Sequence, residues 1–230
     1  MKNFYWRKES FESLKKVIEL SRENSEWELY TKYCETIEKG LRKQALKILS
    51  EFIEQLKGKS LEDRIQFTNW IEERRMKNNE VVVLIPSPLQ KNLIEPTLNE
   101  WKDKEPNNPI PYRWINSKES LLRAIELDGK EEIARFRLFK KIISWIENNQ
   151  HELQDYLYIN NPKQDLELLR ILRNKVKGIE NSDEIFEEID SRIEICNQYI
   201  EFEKDETFGS GNFIPFMKNR NPSFNYGKYL

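Results

Sequence analysis

The chain has 230 residues, of which 7 are glycine and 34% are charged, and its 38 basic and 40 acidic residues leave a net charge of −2. This length suits one large domain or two small ones. The near balance of charge, with lysine and glutamate interspersed, argues against nucleic acid as a partner, because that would need a basic excess or a basic face. The aromatic content of 12% argues against a disordered chain, since such residues must be buried.

No apolar run approaches the length of a membrane span. The longest, residues 81–85, is far shorter than the ~20 residues needed to cross a bilayer. Residues 7–9 are Arg, Lys and Glu, where a secretory signal would need its apolar core. Cys34 and Cys196 each lie among apolar residues at helical spacing, which predicts buried free thiols. We therefore expect a cytoplasmic protein that has no membrane partner.

The N-terminal part repeats apolar residues three and four apart, the spacing that places side chains on one face of an α-helix. It predicts a first helix over residues 3–22. A second helix should begin at Ser25, with Glu28 completing a capping box, and end at Gly40. The inward face of the second helix is predicted to carry Trp27, Tyr30, Cys34, Ile37 and Leu41.

Two further helices follow at short intervals. Gly58 should close the third, and Ser60 with Asp63 should cap the fourth. Connections of two to four residues predict antiparallel neighbours. Residues 81–85 are then expected to be buried extended chain or a helix end. Pro88 should open a helix that Pro96 kinks.

The proline-rich residues 105–111 form the best internal boundary within a single helical domain, 1–230. They separate N-terminal helices (1–104) from C-terminal, repeat-like helices (112–206). The latter include a last long helix, predicted to bury Ile185, Ile189, Ile193, Cys196 and Ile200. A non-helical aromatic tail (207–230) should wrap back over the helices or dock on a partner. The predicted fold is therefore all-α, with antiparallel helix pairs forming a bundle or a short α-solenoid.

One segment carries a family resemblance. Residues 121–129, Leu-Leu-Arg-Ala-Ile-Glu-Leu-Asp-Gly, are followed by an apolar helical pattern that begins at Ile133. This arrangement resembles the junction of two tetratricopeptide repeats and covers about thirty residues near 117–146. Gly129 stands where proline is usual, and Phe139 where a small residue is usual. The resemblance implies stacked helix pairs that bind a protein or peptide, not catalysis.

Catalytic and metal-binding patterns are scarce. His151 is the sole histidine, and with Asp155 and Tyr156 it forms the alternative catalytic site that we consider. The other interpretation of His151 is a polar side chain near a helix C-terminus. We predict no metal site and no cofactor, because the chain has too few His and Cys residues for a transition-metal site and no glycine-rich phosphate loop.

Aromatic residues beside the helical stripes are the candidate partner-binding residues: Tyr112, Trp114, Tyr156 and Tyr158. The function expected is a non-catalytic cytoplasmic module that binds a peptide or protein partner in a groove between helices. A bacterial immunity or antitoxin-type protein would be a specific form of it. The alternative is a helical enzyme with its site around His151, and a third possibility is a structural subunit with a large apolar patch. The sequence does not predict the oligomeric state.

Overall fold

The computed structural model describes residues 8–77, 84–155, 158–179, 182–205 and 213–221. Over these ranges the chain is helical and contains no β-strand, which confirms the all-α prediction. The chain divides into two compact units, Met1–Ile115 and Asn116–Leu230. None of the described helices has an apolar stretch long enough to cross a bilayer.

The first unit packs consecutive helices against one another, and α2 and α3 share the most extensive contact. Its helices are α1 (Lys8–Ser21), α2 (Glu28–Glu38), α3 (Arg42–Lys57), α4 (Leu61–Lys77), α5 (Ser87–Leu89), α6 (Glu95–Lys104) and α7 (Pro109–Ile115). An aromatic cluster fills the core between α2, α3 and α4, with ring centroids 4.6 to 6.1 Å apart. It comprises Trp27, Tyr30, Phe52, Phe67 and Trp70.

Gly40 ends α2 as predicted. Its φ is +76°, a conformation that glycine adopts without steric cost. The Gly40 N–H donates to Ile37 O at 2.9 Å, and the Leu41 N–H donates to Thr36 O at 3.1 Å, the paired bonds of a Schellman cap. Because the helix has already ended, Leu41 is exposed, and the prediction that it faces inward was wrong.

The predicted capping residues are correct for α4 but not for α2. Ser60 Oγ accepts from the Asp63 N–H and Asp63 Oδ2 accepts from the Ser60 N–H, the reciprocal bonds of a capping box. Before α2, the capping side chain is Asn24 rather than Ser25. Asn24 caps a short 3₁₀ helix, Ser25–Trp27, that leads into α2.

Residues 84–104 show how the chain accommodates two prolines. Of the segment 81–85, residues 81–83 lie outside the described residues, and Leu84 is buried with its carbonyl accepting a 2.8 Å hydrogen bond from the Tyr30 hydroxyl. Pro88 lies in the first turn of α5, as predicted. Just before Pro96 the helix contains a π-helical turn, Gln90–Ile94. Such a turn relieves the clash that a proline ring makes with the carbonyl four residues earlier.

The second unit contains helices α8 (Lys118–Leu127), α9 (Glu132–Gln150), α10 (Pro162–Lys175), α11 (Ser182–Phe202) and α12 (Phe213–Arg220). Helix α12 corrects the prediction of a non-helical tail. Its Phe213 and Phe216 are buried, with ring centroids 5.3 to 5.7 Å from those of Tyr199 and Phe202 on α11. Pro215 is tolerated because the first-turn N–H groups have no intrahelical partner. Residues 206–212 and 222–230 of the predicted tail lie outside the described residues.

Candidate functional site

His151 follows the end of α9 and begins a 3₁₀ helix, His151–Asp155. Its side chain is 51% exposed. Nδ1 lies 2.6 Å from Asn148 O, and Nε2 lies 2.7 Å from Glu152 Oε1. Both ring nitrogens therefore face oxygen atoms of their own helical segment. The other two residues of the alternative catalytic site, the Asp155 side chain and Tyr156, lie outside the described residues. The described residues contain no cluster of three or more His, Cys, Asp and Glu side chains that could hold a metal ion.

Two of the predicted partner-binding residues lie in the first unit. Trp114 is only 2% exposed, and its Nε1–H donates to Asn69 Oδ1 at 2.8 Å. The Arg113 guanidinium lies 4.6 Å from the Trp114 ring centroid. Trp114 is thus a core residue with almost no surface to offer a partner. Tyr112 is half-buried and donates its hydroxyl to Pro106 O at 3.1 Å.

Tyr158, the third predicted partner-binding residue, lies in the second unit and belongs to a buried polar network. It is 7% exposed, and its hydroxyl donates to Asp165 Oδ2 at 2.8 Å. The Tyr158 hydroxyl oxygen also lies 3.3 Å from Cys196 Sγ. Asp165 is 4% exposed and also accepts from Asn149 Nδ2 at 2.7 Å and, at 3.4 Å, from Trp145 Nε1. These bonds connect α9, α10 and α11 around one carboxylate. Tyr158, like Trp114, is packed inside the protein and exposes little surface.

Arg192 extends the network from Cys196 toward the surface. Its guanidinium is buried and donates to Glu188 Oε1 at 2.8 Å, to Gln150 Oε1 at 3.2 Å and to Glu147 Oε1 at 3.1 Å. Gln150 Nε2 in turn lies 3.5 Å from Cys196 Sγ. A buried guanidinium is tolerated only when carboxylates and further hydrogen bonds compensate its charge. Here the partners supply both.

The chemistry of the buried groups is that of a structural core. Burial raises the pKa of the Cys196 thiol to about 11, against a smaller opposing effect of the hydrogen bond with Tyr158. Burial likewise raises the pKa of the Cys34 thiol to about 12 and that of the Tyr158 hydroxyl well above its ordinary value. Because the thiolate is the nucleophilic form of cysteine, neither thiol is set up to attack a substrate near neutral pH. Both cysteines are free and buried, as predicted.

A groove of about 540 Å³ lies along the C-terminal half of α11. Ile193 and Ile200 form its apolar part, and Glu194, Glu201 and Lys204 are among the charged residues that line it. The Glu194 carboxylate has no ion-pair partner among the described residues, and Glu201 pairs with Arg220 of α12. The groove thus combines two half-buried isoleucines with an acidic edge.

The position of this groove corrects the predicted orientation of α11. Ile193 and Ile200 were expected on the buried stripe, but they are only half-buried. The buried face instead consists of Ile185, Ile189, Arg192, Ile195, Cys196 and Tyr199. Apolar residues follow more than one line of this helix, and spacing alone does not tell which line faces the core.

A second ion pair lies at the other end of the groove. Arg173 of α10 contacts the Asp190 carboxylate, with Nε 2.6 Å from Oδ1. This hydrogen bond and the positive charge of Arg173 lower the pKa of Asp190. The groove is therefore bordered by α10 at Asp190 and by α12 at Glu201.

Comparison with known proteins adds no family or function to these observations. No protein-family model matches the chain, and no curated protein or solved structure does so either. The resemblance of residues 117–146 to tetratricopeptide repeats stays a prediction, carried by helices α8 and α9 alone.

Proposed function

We propose that the protein is a non-catalytic, cytoplasmic protein-binding module and that it holds its partner along the groove of α11. The observation that carries this proposal is the pair Ile193 and Ile200, two half-buried side chains seven residues apart in a groove with charged edges. Protein interfaces combine an apolar centre with a polar rim, and a few residues buried near the centre supply most of the binding energy.

The state of the titratable and nucleophilic groups supports binding over catalysis. His151 is engaged on both ring nitrogens by oxygens of its own segment. Both thiols are buried, with raised pKa values. Functional residues are commonly found in concave sites, and the groove on α11 contains no histidine or cysteine. A module of this kind would suit the immunity or antitoxin role, in which one protein blocks another by binding alone.

The test is affinity capture of the tagged chain from its own host cells, followed by mass spectrometry. The groove variant is the double substitution Ile193→Asp and Ile200→Asp. The matched control is Ile171→Asp on α10, whose side chain is 46% exposed. We expect one stoichiometric partner with the wild type and the control, and its loss with the groove variant.

Circular dichroism spectra identical among the three proteins would show that the variants are folded. Retention of the partner by the folded groove variant, or its loss with the Ile171→Asp control, would contradict the proposal.

A further inference from the structure

We infer that the segment bound by α11 is an amphipathic helix of a partner protein, with basic residues along one of its edges. This inference rests on the proposed function and adds the chemistry of the partner. It derives from three lines of side chains on α11 that repeat every seven residues.

The first line is apolar. Phe186, Ile193 and Ile200 are each seven residues apart, and all three are half-buried. A spacing of seven residues returns to nearly the same side of an α-helix, so the three side chains form one stripe along the axis. Phe186 already carries the Arg173 guanidinium at 5.1 Å from its ring centroid, whereas Ile193 and Ile200 open onto the groove.

The second line is acidic and directly follows the first in sequence. Glu187, Glu194 and Glu201 are again seven residues apart, and all three are exposed. Glu187 and Glu194 form no ion pair with any described residue, and Glu201 pairs with Arg220. The only basic residue within α11 is Arg192, which is buried and committed to the internal network.

The third line runs between these two and is polar. Asp190 and Asn197 lie seven residues apart within α11, and Lys204 follows at the same spacing just beyond the end of the helix at Phe202. A polar residue on such a line selects one alignment of two packed helices, at some cost in stability. The groove also contains Gln198, whose buried Oε1 accepts no hydrogen bond within the described structure.

A seven-residue repeat of this kind is the pattern that one helix presents to another in a coiled coil, where flanking charges select the partner. Helix α11 has 21 residues, or roughly 30 Å at 1.5 Å per residue, enough for three repeats. A partner helix would place apolar side chains against Ile193 and Ile200. Lysine or arginine at its edge would then face the glutamates. An acidic helix would instead meet like charge.

The test uses two synthetic helical peptides with identical apolar positions, one with lysine and one with glutamate at the flanking positions. Their affinity for the full chain is measured by fluorescence anisotropy at low salt. Each exposed ion pair changes affinity by about twofold. At the two glutamates that form no ion pair, Glu187 and Glu194, a twofold gain with lysine and a similar loss with glutamate multiply to about sixteen. The wild type should therefore prefer the lysine peptide roughly tenfold.

Charge reversal on α11 supplies the second arm. The triple variant Glu187→Lys, Glu194→Lys and Glu201→Lys should reverse the preference and bind the glutamate peptide. A control with the same change in net charge, Glu19→Lys, Glu51→Lys and Glu62→Lys, alters exposed residues of the first unit and should keep the wild-type preference.

Equal binding of the two peptides to the wild type would overturn the inference, as would reversal by the control variant. A dimer of the free chain that Ile193→Asp dissociates would also overturn it, because a second copy would then occupy the face. The proposed function fails separately, if partner capture does not depend on Ile193 and Ile200.

Discussion

Replacing single tyrosines by phenylalanine offers a graded test of the buried hydrogen bonds. Phenylalanine keeps the ring and removes only the hydroxyl, so no large cavity forms. Tyr158 donates to the buried carboxylate of Asp165 at 2.8 Å. Tyr30 donates to the Leu84 carbonyl at 2.8 Å in the core of the first unit, and Tyr112 donates to an exposed carbonyl at 3.1 Å. The three sites differ in the charge and burial of the acceptor.

The expected losses of unfolding free energy follow that order. A hydrogen bond to a charged group contributes about 1.5–3 kcal/mol and a neutral one about 1 kcal/mol. Asn149 still donates to Asp165 when the Tyr158 hydroxyl is gone, so we expect Tyr158→Phe to cost about 2 kcal/mol. Tyr30→Phe should cost about 1 kcal/mol. Tyr112→Phe should cost less than about 0.5 kcal/mol, because water replaces the exposed bond.

Urea titration read by hydrogen–deuterium exchange and mass spectrometry suits this chain, because it follows the peptides of each unit separately. A double-mutant cycle of Tyr158→Phe with Asp165→Asn should show a coupling of about 1 kcal/mol or more, as expected for residues in direct contact. A Tyr158→Phe loss no larger than that of Tyr112→Phe, or a cycle without coupling, would contradict a stabilising bond from Tyr158 to Asp165.

Three further predictions concern local features. Gly40→Ala should lower the free energy of unfolding by about 1 kcal/mol in urea denaturation, because φ is +76° there. Gly129 has open space around it and no positive φ, so Gly129→Ala should cause no loss of stability. Equal losses from the two substitutions would contradict this. Both cysteines should resist alkylation by iodoacetamide at pH 8 in the native protein and react in urea, because burial raises the pKa of each thiol. Rapid labelling of the native protein, detected by mass spectrometry, would contradict this prediction. Because the pKa of Asp190 is lowered, its pair with Arg173 stabilises the fold at pH values above the unfolded-state pKa of about 3.9. This contribution is lost as the pH falls through the lower folded-state pKa. The difference in unfolding free energy between wild type and Asp190→Asn should therefore shrink below about pH 4, and growth of that difference would contradict this.

Short-range signals made the helices predictable. Gly40, Gly58 and the Ser60–Asp63 capping box act within a few residues. The ends of α2 and α3 and the start of α4 therefore followed from local sequence. Helix α12 was missed because Pro215 and the nearby glycines suggested irregular chain. The spacing of Phe213, Phe216 and Met217, three and four apart, is nevertheless a helical signal that was available in the sequence.

The arrangement of polar groups in the second unit was not predictable in the same way. Arg192 reads as a surface residue until its contacts with Gln150 and Glu147, 42 and 45 positions away, are known. Tyr158 and Trp114 read as groove residues, because aromatic side chains are enriched in binding sites and in cores alike. The groove on α11 became evident only when the structure showed which apolar line of that helix faces the core.

Binding of a basic helix to α11 is tested most sharply by methyl NMR of the isoleucine-labelled chain during titration with the lysine peptide. The methyl groups of Ile193 and Ile200 report on the groove, and those of Ile159 and Ile171, which are exposed outside it, serve as internal controls. We expect saturable shifts at Ile193 and Ile200 and unchanged signals at the controls. Shifts centred on Ile159 or Ile171, or no saturable shift at Ile193 and Ile200, would contradict it.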